Sequence, residues 1–279
     1  MKKLLFIGAV VTLLTSCNVT SNYYQIYKTN TSDNIVKKGD LLVFEDENCS
    51  VTYNLWNEGG NVGFNIYNKS NKNLYLNLEE SFFVFNGIAN NYYKNRVFSN
   101  SVNSGATYST GVMASKSVTG YNFLNLLQTN KVAVSSNTGI VNSSGYSVSY
   151  NEEKIVSIPP KTSKYIVEYS INNSLYRDCD LYKYPTKKQI NTKSFTKSDS
   201  PFVFSNKISY YIDSPDKLIK FDNSFYVSEI ANYPESEAFY SKTDENCGQK
   251  SMAKSYYFND KSPDKFYVKY VKGQDSWKN

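Results

Sequence analysis

The side chains that could carry catalysis in this chain are carboxylates, hydroxyls, amines and thiols, because its 279 residues include no histidine. Without histidine, neither a Ser-His-Asp triad nor a Cys-His pair can be assembled. Histidine-ligated zinc, iron and copper sites are excluded for the same reason, and the commonest general base near neutral pH is missing. The sequence therefore favours a non-enzymatic protein without a cofactor.

The Ser-x-x-Lys spacing of penicillin-binding enzymes does not require histidine. It begins at four serines, namely Ser194, Ser214, Ser251 and Ser262. Chance alone predicts this number in a chain so rich in serine and lysine. Ser214 and Ser262 each open a Ser-Pro-Asp-Lys segment, which is typical of a type I turn and not of a helix start. We assign this spacing no catalytic role.

Closely spaced carboxylates could bind a metal ion. Asp178 and Asp180 would lie on one face of a strand, about 6.6 Å apart, and could hold Ca²⁺ with help from carbonyl oxygens. The segments Asp46-Glu47-Asn48 and Asp244-Glu245-Asn246 are similarly acidic. None of them matches an EF-hand loop. A solvated turn is the simpler interpretation of each, and we predict no metal site.

Three cysteines follow Cys17, namely Cys49, Cys179 and Cys247. Two of these thiols could pair in an oxidising compartment. If a disulfide forms, we favour Cys49–Cys179, because these residues bracket the first domain proposed below. The alternative is three reduced cysteines that behave as small buried hydrophobic residues.

Arg96 and Arg177 are the only arginines among 31 basic residues. Such a bias toward lysine suggests that arginine remains where lysine would not suffice. Arginine adds a planar fork of five hydrogen-bond donors to its charge. We therefore expect both to be structural arginines, at least half buried, with several hydrogen bonds or stacking contacts. The alternative is that both are ordinary surface residues.

The first seventeen residues have the pattern of an export signal. Lys2 and Lys3 precede an apolar run from Leu4 to Leu14, which is too short to span a membrane and is typical of a secretory leader. The closing Leu14-Thr15-Ser16-Cys17 resembles the lipobox of bacterial lipoproteins. That resemblance implies cleavage before Cys17 and attachment of a diacylglyceryl group to its thiol.

The leader and the abundance of Lys, Asn and Tyr together resemble envelope lipoproteins of Bacteroides-type bacteria. The resemblance covers no catalytic motif. It implies an outer-membrane protein held by its N-terminal lipid, and the lack of an acidic run after Cys17 favours a periplasm-facing protein over a surface-exposed one. Removal of residues 1–16 lowers the formal charge from +6 to about +4, which is too little to indicate nucleic-acid binding.

Most of the mature chain reads as short β-strands separated by turns. Apolar residues alternate with polar ones over 51–55, 62–66 and 74–78, and Asn86-Gly87 favours a tight hairpin. Strands at roughly ten-residue spacing predict an all-β protein with an immunoglobulin-like β-sandwich fold, in two sandwich-like units.

The predicted organisation has four parts. Residues 1–16 are the signal peptide, and residues 17–38 are a polar tether. Residues 39–185 form a β-sandwich domain that carries a Ser/Gly-rich insertion near 99–120. Residues 186–279 form either a second β-rich domain or the completion of the first.

The sequence leaves the specific role open. The expectation is a non-catalytic binding or scaffolding module in the cell envelope, with an envelope protein or a glycan as partner. Glycan binding is an alternative, because 26 Tyr and 16 Phe could supply exposed rings for stacking on sugars. A carboxylate-based glycoside hydrolase is a second alternative, and it needs two acidic side chains facing each other across a cleft.

The lipobox yields the first testable prediction. Mass spectrometry of the native N-terminal peptide should find a lipid-modified Cys17 and no residues 1–16. Protease treatment of intact cells should not release a periplasm-facing protein. An unmodified Cys17, or cleavage at another position, would contradict the prediction of anchoring.

Overall fold

The computed structural model of the protein describes residues 21–104, 114–116, 132–134 and 144–273. The strands in chain order are β1 (Asn22–Thr31), β2 (Ile35–Lys38), β3 (Leu41–Glu45), β4 (Cys49–Tyr53), β5 (Phe64–Asn68), β6 (Leu74–Asn77), β7 (Phe82–Phe85), β8 (Ile88–Asn91), β9 (Val97–Ser104), β10 (Ala114–Lys116), β11 (Val132–Val134), β12 (Ser144–Asn151), β13 (Ile155–Ile158), β14 (Ser163–Ile166), β15 (Thr192–Ser194), β16 (Val203–Tyr211), β17 (Ile219–Pro234), β18 (Phe239–Asn246), β19 (Gln249–Phe258) and β20 (Lys265–Val271). Two short helices join them, a 3-10 helix (Lys187–Gln189) and α1 (Glu235–Ala238). The prediction of an all-β protein is confirmed.

Two antiparallel sheets form the body of the protein. The larger sheet has the main order β13-β6-β16-β17-β1-β20, and it also includes β7 beside β16, β15 beside β17 and β8 beyond β7. The smaller sheet has the order β14-β5-β4-β3-β2. Three pairs form separate two-stranded sheets, β9 with β12, β10 with β11 and β18 with β19.

The sheets pack face to face through aromatic side chains. Tyr53 of β4 packs edge-on against Phe225 of β17, with 5.3 Å between ring centroids. Phe44 of β3 stacks on Phe221 of the same long strand at 4.7 Å. In β4, buried side chains alternate with partly exposed ones, as expected for a strand with one face in a core. The described body is therefore a β-sandwich, and its immunoglobulin-like topology stays a prediction.

The predicted tether over residues 17–38 is wrong from residue 22 onward. Residues 22–31 form β1, which lies between β17 and β20 in the larger sheet. Four consecutive side chains in its middle, Tyr24 to Tyr27, are buried. A strand covered on both faces lacks the polar–apolar alternation that marks a half-exposed strand, and for this reason the sequence pattern did not reveal β1.

The C-terminal strands complete the same sandwich. β16 pairs with β6 and β7, and β17 pairs with β1, so residues 203–234 lie among strands of the first half of the chain. β20 lies on the far side of β1. Of the two predicted roles for residues 186–279, strand pairing supports completion of the first domain.

The irregular segment from about 170 to 185 covers one end of the larger sheet. Gln25 of β1 is fully buried, and its amide nitrogen donates to the Tyr176 carbonyl at 2.9 Å and to Asn232 Oδ1 at 2.8 Å. Asn232 in turn donates to the Tyr182 carbonyl at 2.9 Å. Buried amides need such partners. The two strands therefore hold the covering segment by its backbone.

Several turns have the predicted local chemistry. Asn86 and Gly87 both have positive φ values, 46° and 83°, and connect β7 to β8 as the tight hairpin expected of this dipeptide. Ser214 and Ser262, which begin two of the Ser-x-x-Lys matches, lie in the turns before β17 and β20. At Gly60 (φ 75°) the packing also leaves no room for a side chain, because a Cβ atom there would lie 2.5 Å from Ile171 Cδ1.

The position of β1 generates a stability prediction. Tyr27 is fully buried and stacks on Phe266 with 4.5 Å between ring centroids. Tyr27→Ala should lower the free energy of unfolding by about 3–5 kcal/mol, because a large aromatic side chain leaves a cavity. Tyr257→Ala, on the half-exposed surface of β19, is the matched control and should cost less than about 1 kcal/mol. Urea denaturation measures both, and similar small losses would show that β1 is not part of the core.

Candidate functional site

The densest cluster of charged groups in the described chain surrounds Arg96. Arg96 precedes β9, Glu152 follows β12 and Glu168 follows β14. The guanidinium donates through Nε and Nη2 to Glu152 Oε1, and through Nη1 and Nη2 to the two oxygens of Glu168, at 2.8 and 3.0 Å. Lys94 Nζ lies 2.8 Å from the same Glu168 carboxylate. One arginine thus joins two carboxylates that lie 56 and 72 positions after it in the chain.

Both carboxylates are shielded from water. The side chains of Glu152 and Glu168 are 8% and 10% exposed, and that of Arg96 is 27% exposed. Burial by itself would raise the pKa of Glu152. Hydrogen bonds from the Arg96 side chain and from the backbones of Arg96 and Lys94 outweigh burial, so the pKa is lowered. Glu152 therefore stays ionised and cannot supply the protonated general acid that a two-carboxylate glycosidase needs.

The cluster forms the root of the hairpin made by β9 and β12. The first strand pair of this hairpin joins Val97 to Asn151. Immediately outside it, the Glu152 amide donates to the Arg96 carbonyl at 2.8 Å. Arg96 also lies over the Phe98 ring, at 5.4 Å from its centroid. Because Glu168 follows closely after β14 of the smaller sheet, the arginine fork connects the hairpin to the sandwich. We call residues 97–151 the long hairpin.

The predicted insertion at 99–120 lies within the long hairpin. Residues 99–104 belong to β9, and residues 114–116 form β10. The rest of the insertion, 105–113 and 117–120, lies outside the described residues.

The carboxylates of Asp178 and Asp180 converge on a lysine. Lys193 Nζ lies 2.7 Å from Asp178 Oδ2 and 2.9 Å from Asp180 Oδ2. The hydrogen bond from Lys193 is the main reason that the pKa of Asp178 is lowered. The ammonium group thus supplies the positive charge between the two carboxylates. Within the described ranges, no group of three or more His, Cys, Asp or Glu side chains is arranged to hold a metal ion.

The favoured Cys49–Cys179 disulfide is not formed. Cys49 lies on the inner face of β4 with no exposed surface, whereas Cys179 is exposed in the covering segment, and both are free thiols, as is exposed Cys247. Burial raises the pKa of the Cys49 thiol well above its usual range, and the neighbouring Asp46 carboxylate adds to the effect. Cys49 therefore behaves as a small core residue. Cys17 lies outside the described residues.

The two arginines differ in their surroundings. Arg96 has the burial and the multiple hydrogen bonds that the sequence argument required. Arg177 is more exposed than Arg96, and the expectation of burial is not confirmed for it. The strand expected for the neighbouring Asp178 and Asp180 is not formed, because the covering segment around them is irregular.

Fewer than half of the aromatic residues that the structure describes are buried, and two surfaces group exposed or partly exposed rings. The first is the two-stranded sheet of β18 and β19, which we call the ribbon. On its surface Tyr240 and Tyr257 stack at 5.6 Å, and they are 49% and 44% exposed. Met252 and Tyr256 are also exposed there.

The second aromatic surface lies where β1 begins and β20 ends. Tyr23 packs edge-on against Tyr184 at 5.2 Å and stacks on Tyr270 at 5.6 Å. The ammonium groups of Lys183 and Lys272 lie 5.0 and 5.8 Å from the Tyr184 ring. We call these five residues, with the exposed Tyr182, the tyrosine–lysine patch.

Sequence reasoning missed the acidic partners of Arg96. Glu152 and Glu168 lie 56 and 72 positions away in the chain, so no local pattern links them to it. The tyrosine–lysine patch was equally hidden, because its rings come from three separate segments. The one usable signal was the rarity of arginine, which pointed to Arg96 but not to its partners.

Comparison of the chain with protein-family models, with curated proteins and with solved structures finds no match. In the described part of the chain, no helix has the length and apolar character needed to cross a membrane.

The Arg96 cluster generates a matched pair of substitutions. Arg96→Lys keeps the charge but cannot serve both buried carboxylates, and it should lower the free energy of unfolding by about 1–3 kcal/mol. Arg177→Lys, at an exposed position, should lower it by less than Arg96→Lys does. Thermal melting of the two variants beside the unsubstituted protein measures the difference. Equal melting temperatures for all three proteins would rule out a structural role for the arginine fork.

Proposed function

We propose that this protein is a lipid-anchored outer-membrane protein that faces the periplasm and serves as a non-catalytic binding or scaffolding module. The leader and Cys17 support the anchoring. The lack of histidine supports a non-catalytic role, as does the engagement of Glu152 and Glu168 with arginine. The partner is an envelope protein or a glycan, and nucleic acid is not expected.

The observation that supports the binding role is the way in which the long hairpin is attached to the sandwich. β9 and β12 pair with each other as a separate two-stranded sheet, and at the base of this pair Arg96, Glu152 and Glu168 form a shielded network of charge-assisted hydrogen bonds. Such bonds are stronger and more directional than neutral ones. A root of this kind orients the β9–β12 pair relative to the body. An oriented segment loses less conformational entropy when it binds a partner.

The test removes the hairpin and keeps its root. Ser99 and Ser149 are opposite each other in the β9–β12 pairing, so an Asn-Gly turn in place of residues 100–148 can close the strands. The shortened protein should melt within about 3 °C of the intact one, since the deleted stretch is rich in Ser, Thr, Asn and Gly. It should lose the envelope partners that chemical crosslinking in intact cells attaches to the intact protein.

The control variant changes a surface away from the long hairpin. Met252→Ser with Tyr256→Ser alters the ribbon and should leave the crosslinked partners unchanged. Retention of all partners after removal of the hairpin would refute its binding role. A loss of several kcal/mol of stability would instead show that the hairpin contributes to the core.

Glycan binding is the second candidate, and the ribbon favours it. Tyr240 and Tyr257 form a half-exposed stacked pair, which is a surface suited to packing against a sugar ring. A glycan array probed with the protein and with Tyr257→Ala separates the candidates. Sugar binding that disappears in the variant would favour this second role.

A further inference from the structure

We infer that the tyrosine–lysine patch lies against the bilayer and contacts anionic phospholipid headgroups, so that the sandwich is held in one orientation on the membrane. The inference rests on the proposed lipid anchoring at Cys17. It adds to that proposal the face of the protein that meets the membrane and the lipid chemistry that this face prefers.

The first argument is reach. The Ser21 carbonyl accepts a hydrogen bond of 3.0 Å from the Lys272 amide, so the chain is already fixed to the sheet at this point. Four residue steps separate Cys17 from Ser21, and at about 3.5 Å per residue they span at most roughly 14 Å. An acyl chain on Cys17 therefore keeps this end of the sandwich close to the headgroups. The 14 residue steps of β17 from Pro234 to Lys220 span roughly 45 Å at a strand rise of about 3.3 Å, so Lys220 is far from this end.

The second argument is the character of the rings. Tyr23, Tyr184 and Tyr270 form one cluster at this end, and Tyr182, two positions before Tyr184, is exposed. The Tyr270 hydroxyl donates to the Lys183 carbonyl, which fixes the cluster to the covering segment. Tyrosine combines an apolar ring with a polar hydroxyl, and it is enriched where protein surfaces meet the headgroup region of membranes.

The third argument is charge. Lys183 and Lys272 lie against the Tyr184 ring. Among the described residues, the charged side chains close to this end in sequence or in strand pairing include Lys183, Lys187, Lys188, Lys269, Lys272, Glu235 and Glu237. Glu237 is paired with Lys187, and Glu235 accepts hydrogen bonds from Asn22. These seven residues have a net charge of +3, in a mature chain whose formal charge is about +4. Basic residues close to a membrane surface attract anionic lipids.

The experiment uses the lipidated full-length protein in vesicles. A fluorophore is attached at Ser236→Cys, an exposed position of α1 outside the patch, with Cys179→Ser and Cys247→Ser to remove the two exposed thiols. The vesicles contain phosphatidylethanolamine, 30% phosphatidylglycerol and a small fraction of lipid with a nitroxide on its headgroup. We expect strong quenching of the fluorophore, reduced at least threefold in phosphatidylcholine vesicles or in 1 M NaCl, because salt screens the attraction.

Three variants test the contribution of the patch residues. Lys183→Gln with Lys272→Gln should reduce quenching at least threefold, and so should Tyr184→Ser. Lys207→Gln with Lys220→Gln removes the same charge from strand positions outside the patch and should have no effect. Circular dichroism confirms that each variant is folded. Equal quenching in all variants and in both lipid mixtures would overturn the inference.

Flotation of the same vesicles separates this inference from the proposal beneath it. A protein that floats with the vesicles but shows no dependence on the patch is anchored, and only the orientation is wrong. A protein that does not float, with an unmodified Cys17 in its mass spectrum, contradicts the anchoring itself and removes the basis for the inference.

Discussion

The central position of β1 between β17 and β20 is the constraint on which the rest of the structure depends. β17 runs the length of the larger sheet and has β16 and β15 along one edge and β1 along the other. Its side chains also pack on the smaller sheet through Phe221 and Phe225. Without β1, β17 would lose the partner along one edge, and β20 would have nothing to join it to the sheet. Unpaired backbone groups in a buried sheet are costly. Loss of one of these three strands therefore destabilises the other two.

Buried asparagine side chains add hydrogen bonds to this arrangement of strands. Asn68 has no exposed surface, and its nitrogen donates to the carbonyls of Lys72 and Ile158, at 2.7 and 2.9 Å. Asn206, similarly buried, donates to the Val62 carbonyl and accepts from the Tyr92 hydroxyl. Each contact holds a loop or a strand of the other sheet in one position, because the amide would otherwise lose its partners at a substantial free-energy cost. A chain rich in asparagine and tyrosine therefore uses these residues inside the sandwich as well as on its surface.

The sequence predicted what local pattern controls. Alternation in β4, β5 and β6 and the Asn86-Gly87 hairpin depend on neighbouring residues, and the structure has them as expected. β1 could not be predicted in the same way, because Gln25 at its centre looks unsuited to a core until its partners Tyr176 and Asn232 are known. The candidate site shows the same difference between what local pattern predicts and what depends on tertiary contacts. The rarity of arginine identified Arg96, while the choice between Arg96 and Arg177 depended on carboxylates brought together only by the fold.

The pairing of the first described strand with the last has a consequence for how the protein reaches its folded state. The hydrogen bond from Thr29 to the Asp264 carbonyl closes a loop of 235 positions, and contacts so distant in sequence form late and slow folding. During synthesis β1 is made first, whereas its partners β17 and β20 are made last. The growing chain therefore cannot complete its larger sheet until nearly all of it has been synthesised. A prematurely terminated product is left with an open sheet edge that proteases can recognise.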